Sequence, residues 1–132
     1  MTTPYTPMAY MAPNEQPDNV EFWQAAREGR LLVKQCQSCG KLHWYPRSLC
    51  PFCLGDTVWR DASGRGTIYS YSVTRKAGPQ PYCIAYVKLE EGVTMMTHIV
   101  DCDLDEIRIG QNVMVKFAPS MDGAPVPVFA LA

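Results

Sequence analysis

The sequence has no surplus of positive charge. Lys and Arg number 12 against 13 Asp and Glu, so the formal net charge is -1. A polyanion therefore meets no attractive field at long range, and nucleic acid is disfavoured as a partner. No apolar run approaches the ~18 residues that a membrane-spanning helix needs. Basic residues are missing from the start, where the first is Arg27, and Pro4, Pro7, Pro13 and Pro17 interrupt the same stretch. A secretory leader with a basic start and an apolar middle is thus not expected, and a reducing cytoplasm is the expected compartment. The sequence also lacks GxSxG, HExxH, a P-loop and a GxGxxG following a strand. Any activity is then expected to depend on a partner or on a cofactor-bound substrate.

What is present is a chain of 132 residues, 47% hydrophobic and 19% charged, with six cysteines. That length supports one core, or a small core beside a metal-clamped module. Cys36-x2-Cys39 and Cys50-x2-Cys53 form two pairs ten residues apart. A CxxC turn brings two thiolates to one point, and two such turns facing each other complete a sulfur tetrahedron with metal–sulfur distances of ~2.3 Å. Gly40 and Pro51 are residue types such turns use. Zinc is the expected ion, and iron in the same tetrathiolate geometry is its rival. Protein fills all four positions, so the ion is expected to be structural. Cys83 and Cys102 lie in apolar, strand-like contexts and read as small buried hydrophobes. His43 could substitute as a ligand, but four cysteines already saturate the ion, and His98 reads as a packed or edge histidine.

Residues 1–17, with four prolines and with Tyr5, Met8, Tyr10 and Met11, are expected to form an extended tail. Asp18 and Glu21 have capping-box spacing, Phe22, Trp23, Ala25 and Ala26 give an apolar face, and Gly29 offers a stop. A short helix over about 18–28 follows, too short to persist unless Phe22 and Trp23 are buried against something else. Strand-like segments at 31–33 and 41–46 frame the cysteine turns, so 18–60 reads as helix plus metal module. From 61 to 132, strand patterns at 67–75, 82–89, 93–100, 112–118 and 126–129 suggest a five-stranded barrel. Tyr69, Tyr71 and Val73 alternate with Ile68, Ser70 and Ser72, and the aromatic alternation has the look of a buried barrel face.

The order of these features resembles a known family: acyl-CoA-associated proteins with a short N-terminal helix, a rubredoxin-like zinc ribbon and an OB-fold. The resemblance rests on Phe22-Trp23, Cys36-Gln37-Ser38-Cys39-Gly40, Pro46-Arg47, Cys50-Pro51-Phe52-Cys53 and Gly64-Arg65-Gly66-Thr67-Ile68-Tyr69-Ser70-Tyr71. Tyr86-Val87-Lys88-Leu89-Glu90-Glu91-Gly92 and Ile109-Gly110-Gln111-Asn112-Val113 extend it, so that it covers residues 18–130. It implies binding of the CoA part of acyl-CoA, or service as a small partner subunit of a thiolase-like enzyme in acyl transfer, condensation or retro-aldol steps. A CoA site needs cations for phosphate and an aromatic platform. Arg47, Arg60 and Arg65 are the candidate phosphate contacts, with Trp44 as platform and Trp59 nearby in sequence. The competing reading is a single-stranded nucleic-acid binder in which Tyr69 and Tyr71 stack bases. The stretch 82–100 offers such a groove only Lys88 as a cation.

Overall fold

The structure is a computed structural model that describes residues 3–5, 7, 10–76 and 79–132, so Met8 lies outside the described residues. Helix α1 (Val20–Arg27) buries Phe22, Trp23, Ala25 and Ala26 along one side. Its start differs from the expected capping box. Asn19 is the residue before the helix, and its side chain caps no helical N–H. Instead Asn19 Oδ1 accepts from Gln16 N–H at 2.7 Å, and its amide donates to Tyr45 Oη at 2.9 Å. Glu21 is likewise drawn away from the helix, because its carboxylate accepts from Trp59 Nε1 at 2.7 Å. The Asn19 oxygen is thus taken by the preceding turn and the Glu21 carboxylate by a distant indole, so neither is left to cap the helix.

Strands β1 (Leu32–Cys36), β2 (Leu42–His43) and β3 (Thr57–Asp61) form a three-stranded sheet in the order β2-β1-β3. The strand expected over 41–46 shrinks to two residues, and β3 was not expected at all. β3 pairs with the whole of β1, from Leu32 opposite Asp61 to Cys36 opposite Thr57. Lys34 and Trp59 are opposite in that register, and the Lys34 ammonium lies 4.2 Å from the centre of a Trp59 ring. Glu21, Trp59 and Lys34 therefore tie helix to sheet through a hydrogen bond and a cation–π contact.

The barrel is closed and has five strands, β4 (Arg65–Thr74), β5 (Tyr82–Leu89), β6 (Thr94–Val100), β7 (Asn112–Pro119) and β8 (Pro125–Leu131). Their order around it is β4-β5-β6-β8-β7, with β6 and β8 parallel at the closure. A single 3-10 turn, Leu104–Glu106, bridges β6 and β7 and buries Leu104. Inside lie Ile68, Ala85, Val87, Met95, Ile99, Val113 and Phe129, in one core with Phe22, Leu31 and Val33. The tyrosines of β4 prove to be outside. Tyr69 is 64% exposed while Ile68 is buried, and the pairing with β5 shifts between Ile68 and Ser70. With Ile68 facing inward, Tyr69 and Tyr71 fall on the exposed side of β4, and Tyr86 of β5 is exposed as well. Gly66 permits the tight β4–β5 approach, since a Cβ there would stand 2.7 Å from the Lys88 carbonyl oxygen.

The N-terminal segment lies along the barrel where it is described. Thr3 donates through its N–H to Asp103 and through its hydroxyl to Asp105, and its carbonyl accepts from Leu104 N–H. Tyr10 is buried, packs edge-on to His98 at 5.0 Å, and its carbonyl accepts from Met121 N–H. Phe22 has no exposed surface and touches both Trp23 and Trp44, with ring centres 4.8 Å apart in each case. Phe22→Ala is expected to cost about 3–5 kcal/mol in urea unfolding, because it opens a cavity where helix, ribbon and barrel meet. A cost below ~1 kcal/mol would show that the helix is not part of this core.

Candidate functional site: a four-cysteine centre and an apolar groove

The two cysteine turns are built alike. Cys36 Sγ accepts the backbone N–H of Ser38 and of Cys39, both at 3.3 Å, and Cys50 Sγ accepts that of Phe52 at 3.4 Å. Each turn closes with a backbone bond four residues on, Gly40 N–H to Cys36 C=O and Leu54 N–H to Cys50 C=O. The residue after the second cysteine of each pair is left-handed, with φ of 76° at Gly40 and 64° at Leu54. Glycine holds that conformation without strain, and leucine holds it against a steric penalty. The sulfurs of Cys36, Cys39, Cys50 and Cys53 all lie within 4.8 Å of one another. Cys36 Sγ lies 3.4 Å from Cys53 Sγ, and Cys39 Sγ lies 3.7 Å from Cys50 Sγ.

Such crowding separates the proton affinities of the thiols. The N–H of Cys39, with that of Ser38, lowers the Cys36 thiol to about 6. Cys53 is held up at about 11: the Gly55 N–H lowers it, but the neighbouring Cys36 and Cys39 sulfurs more than offset that. Four adjacent thiolates repel one another, and a divalent cation at their centre is what lets all four ionise. The donor set, all sulfur and complete, fits a structural tetrahedral ion. His43 is not part of it. It is buried and turned the other way, with Nε2 accepting Arg47 N–H at 3.2 Å, and burial, then Lys34 and Arg47, lower its pKa. Gly55 went unnoticed in the sequence. A Cβ there would stand 2.8 Å from Ser38 Oγ and 3.0 Å from Cys36 Sγ, so only glycine fits against the centre. Its backbone is not left-handed, so no turn pattern marks it.

At the end of the ribbon away from the cysteine turns, α1, the Trp44-Tyr45 segment, β5, β6, β8 and the N-terminal segment line an apolar groove of about 630 Å³. Trp23 and Trp44 line one side, and Tyr86, Met96 and His98 the other. Trp44, the expected platform, is thus in the groove. The three arginines are not brought together. Arg65 lines a hollow at one end of the barrel with Lys88 and Glu90, and Arg60 lines another beside α1, where it donates to Gln35 at 2.8 Å. Arg47 is exposed just beyond the Trp44-Tyr45 segment. None of the ion pairs among the described residues uses Arg47, Arg60 or Arg65. Burial raises the Cys83 thiol to about 11 and also raises Cys102, so neither is an activated nucleophile.

Residues 23–58 match the ChsH2 rubredoxin-like zinc ribbon domain, and residues 59–118 match the ChsH2 C-terminal OB-fold domain. A DUF35 domain-containing scaffold protein of Methanothermobacter thermautotrophicus is 39% identical over 108 residues, which are 76% of this chain and 81% of that one. The chain belongs to the DUF35 family. A probable enoyl-CoA hydratase alpha subunit of Thermomonospora curvata is 34% identical over 119 residues, 85% of this DUF35 chain but 37% of the relative's length. Among solved structures, a chain of the Ltp2-ChsH2(DUF35) aldolase superposes with a TM-score of 0.78 at 32% identity, covering 91% of this chain and 98% of that one. The four cysteines of this DUF35 protein are therefore those of a zinc ribbon. No helix among the described residues is long and apolar enough to cross a membrane.

Metal analysis of the purified protein is expected to give close to one zinc per chain and negligible iron. Cys36→Ser or Cys53→Ser should abolish stoichiometric zinc and lower the melting temperature, and Gly55→Ala should weaken zinc retention against a chelator. A red, iron-containing protein, or an apo protein with two disulfides, would contradict the assignment. A second expectation concerns His98, whose pKa burial lowers. The folded state then binds this proton less readily than the unfolded chain, so stability is lost as pH falls through the unfolded value of about 6.5. Between pH 7.5 and 5.5, His98→Phe should lose less unfolding free energy than the parent. An equal loss in both would assign the acid sensitivity elsewhere.

Proposed function

We propose that this DUF35 protein is a noncatalytic accessory subunit that binds acyl-CoA and docks on a thiolase-like enzyme. The observation that carries the reading is the full-length likeness to the DUF35 chain of an aldolase assembly, supported by relatives described as a scaffold and as a hydratase alpha subunit. The chain's own chemistry agrees with it. A closed four-sulfur centre leaves no position for substrate, and both remaining thiols are held protonated by burial. Arg47, Arg60 and Arg65 are free of ion pairing among the described residues, so a guanidinium remains to fork onto a phosphate.

One observation favours nucleic acid instead: Tyr69, Tyr71 and Tyr86 are exposed on neighbouring strands, where bases could stack. The scarcity of cations on that face weighs against it, since Lys88 is the only one on β5 and β6.

The test is to purify the protein with its native neighbours and identify by mass the copurifying protein and any thioester, then to titrate acetyl-CoA and a single-stranded oligonucleotide calorimetrically. A thiolase-like subunit and CoA binding are expected, with one of Arg47→Ala, Arg60→Ala or Arg65→Ala weakening CoA about ten-fold or more. The isolated chain should show no acyl-transfer turnover. Salt-sensitive oligonucleotide binding with no response to CoA would reverse the assignment.

A further inference from the structure

The groove between helix, ribbon and barrel has a composition unlike the rest of the surface. It presents aromatic rings and methionines, and no Asp, Glu, Lys or Arg side chain lines it. At about 630 Å³ it falls in the size range of small-ligand sites. Its walls come from segments far apart in sequence. Trp44 is fixed by Phe22, Tyr45 by its bond to Asn19, and His98 by the edge of Tyr10. Two walls are instead adaptable: Met11 is 84% exposed and Met96 is 60% exposed, and unbranched thioethers reshape around variable apolar groups. Trp23, which lines the groove, carries a buried indole N–H with no acceptor among the described residues.

We propose that this groove, walled by Trp23, Trp44, Tyr86, Met96 and the Met11 segment, holds the acyl group of the bound CoA thioester and so favours thioesters with large apolar acyl chains. The inference rests on the acyl-CoA reading and deepens it. Absence of charge in the lining selects the uncharged end of the thioester and keeps the phosphates outside, on the side where Arg47 follows the Trp44-Tyr45 segment. The alternative occupant, an apolar segment of the partner enzyme, is less favoured because the groove's volume of about 630 Å³ is that of a small-ligand site. The N-terminal segment also gains a role, because Tyr10 and Met11 form one wall and Tyr10 is anchored through Met121 and His98.

The experiment is calorimetric and tryptophan-fluorescence titration of the full chain with CoA, acetyl-CoA, octanoyl-CoA and free octanoate. Octanoyl-CoA is expected to bind at least about ten-fold more tightly than acetyl-CoA, given the apolar area that six further methylenes bury. Met96→Glu and Tyr86→Ser replace partly exposed side chains, so zinc content and the unfolding transition should be kept. Each variant should lose most of the octanoyl-CoA advantage while acetyl-CoA affinity stays within about two-fold. If all CoA species bind with equal affinity and the variants change nothing, the groove assignment falls and the acyl-CoA reading stands. If no CoA species binds, both fall. Equal affinity for octanoate and octanoyl-CoA would replace the thioester with a free fatty acid. Loss of partner association in the variants, with thioester binding unchanged, would give the groove to the partner enzyme.

Discussion

Four sulfurs within 4.8 Å of one another cannot all carry charge unless a cation lies among them, and the ribbon half of the molecule depends on that requirement. Two short turns hold little apolar surface, so they cannot keep β1, β2 and β3 together by burial alone. Once an ion fixes the turns, β1 ends at Cys36 beside one of them and β3 begins at Thr57, opposite it. That pairing presents Trp59 to Glu21 and Lys34. The same frame holds Trp44 against Phe22. An electrostatic constraint at one end of the chain's fold thus sets the wall of an apolar groove at the other end of the ribbon.

The barrel needs no such ion, because its interior is closed by its own strands and by α1. Phe22 and Val33 share one core with Ile68, Val87 and Phe129, so ribbon and barrel pack as a unit. This explains why an eight-residue helix survives without a side-chain cap. The Asn19 oxygen accepts from the Gln16 N–H and its amide donates to Tyr45, and the Glu21 carboxylate accepts from Trp59, so two of these three bonds join the start of the helix to the ribbon.

Legibility in the sequence followed the range of the interactions. The cysteine turns and the helix are local patterns, and Tyr82–Leu89 is a run of β-type residues, so both could be seen in the residue order, although its alternation of buried and exposed positions could not. β3 could not, because Thr57–Asp61 is a strand only by virtue of β1, far back in the chain. The alternation of β4 was visible, but not which of its faces is buried: Ile68 takes the core side and leaves Tyr69 and Tyr71 exposed, a choice made by the strands that close the barrel. Within the site, the cysteines are marked by spacing, whereas Gly55 is needed for lack of room beside Cys36 Sγ, a contact known only once the fold exists. The arginines illustrate the opposite error: closeness in sequence between Arg60 and Arg65 does not survive as closeness in space, since they line different hollows.

The parallel seam between β6 and β8 bears on the order in which the molecule can be made. β8 is bound on one side by β7 and on the other by β6, so the barrel stays an open sheet until residues 125–131 have left the ribosome. All the ribbon's strands and cysteines lie within residues 32–61. During synthesis at about 5–20 residues per second, the ribbon is complete several seconds before the last barrel strand emerges. Ion capture can therefore come first, and the loaded ribbon, with Phe22 and Val33 still uncovered, offers the nascent strands a template on which to close.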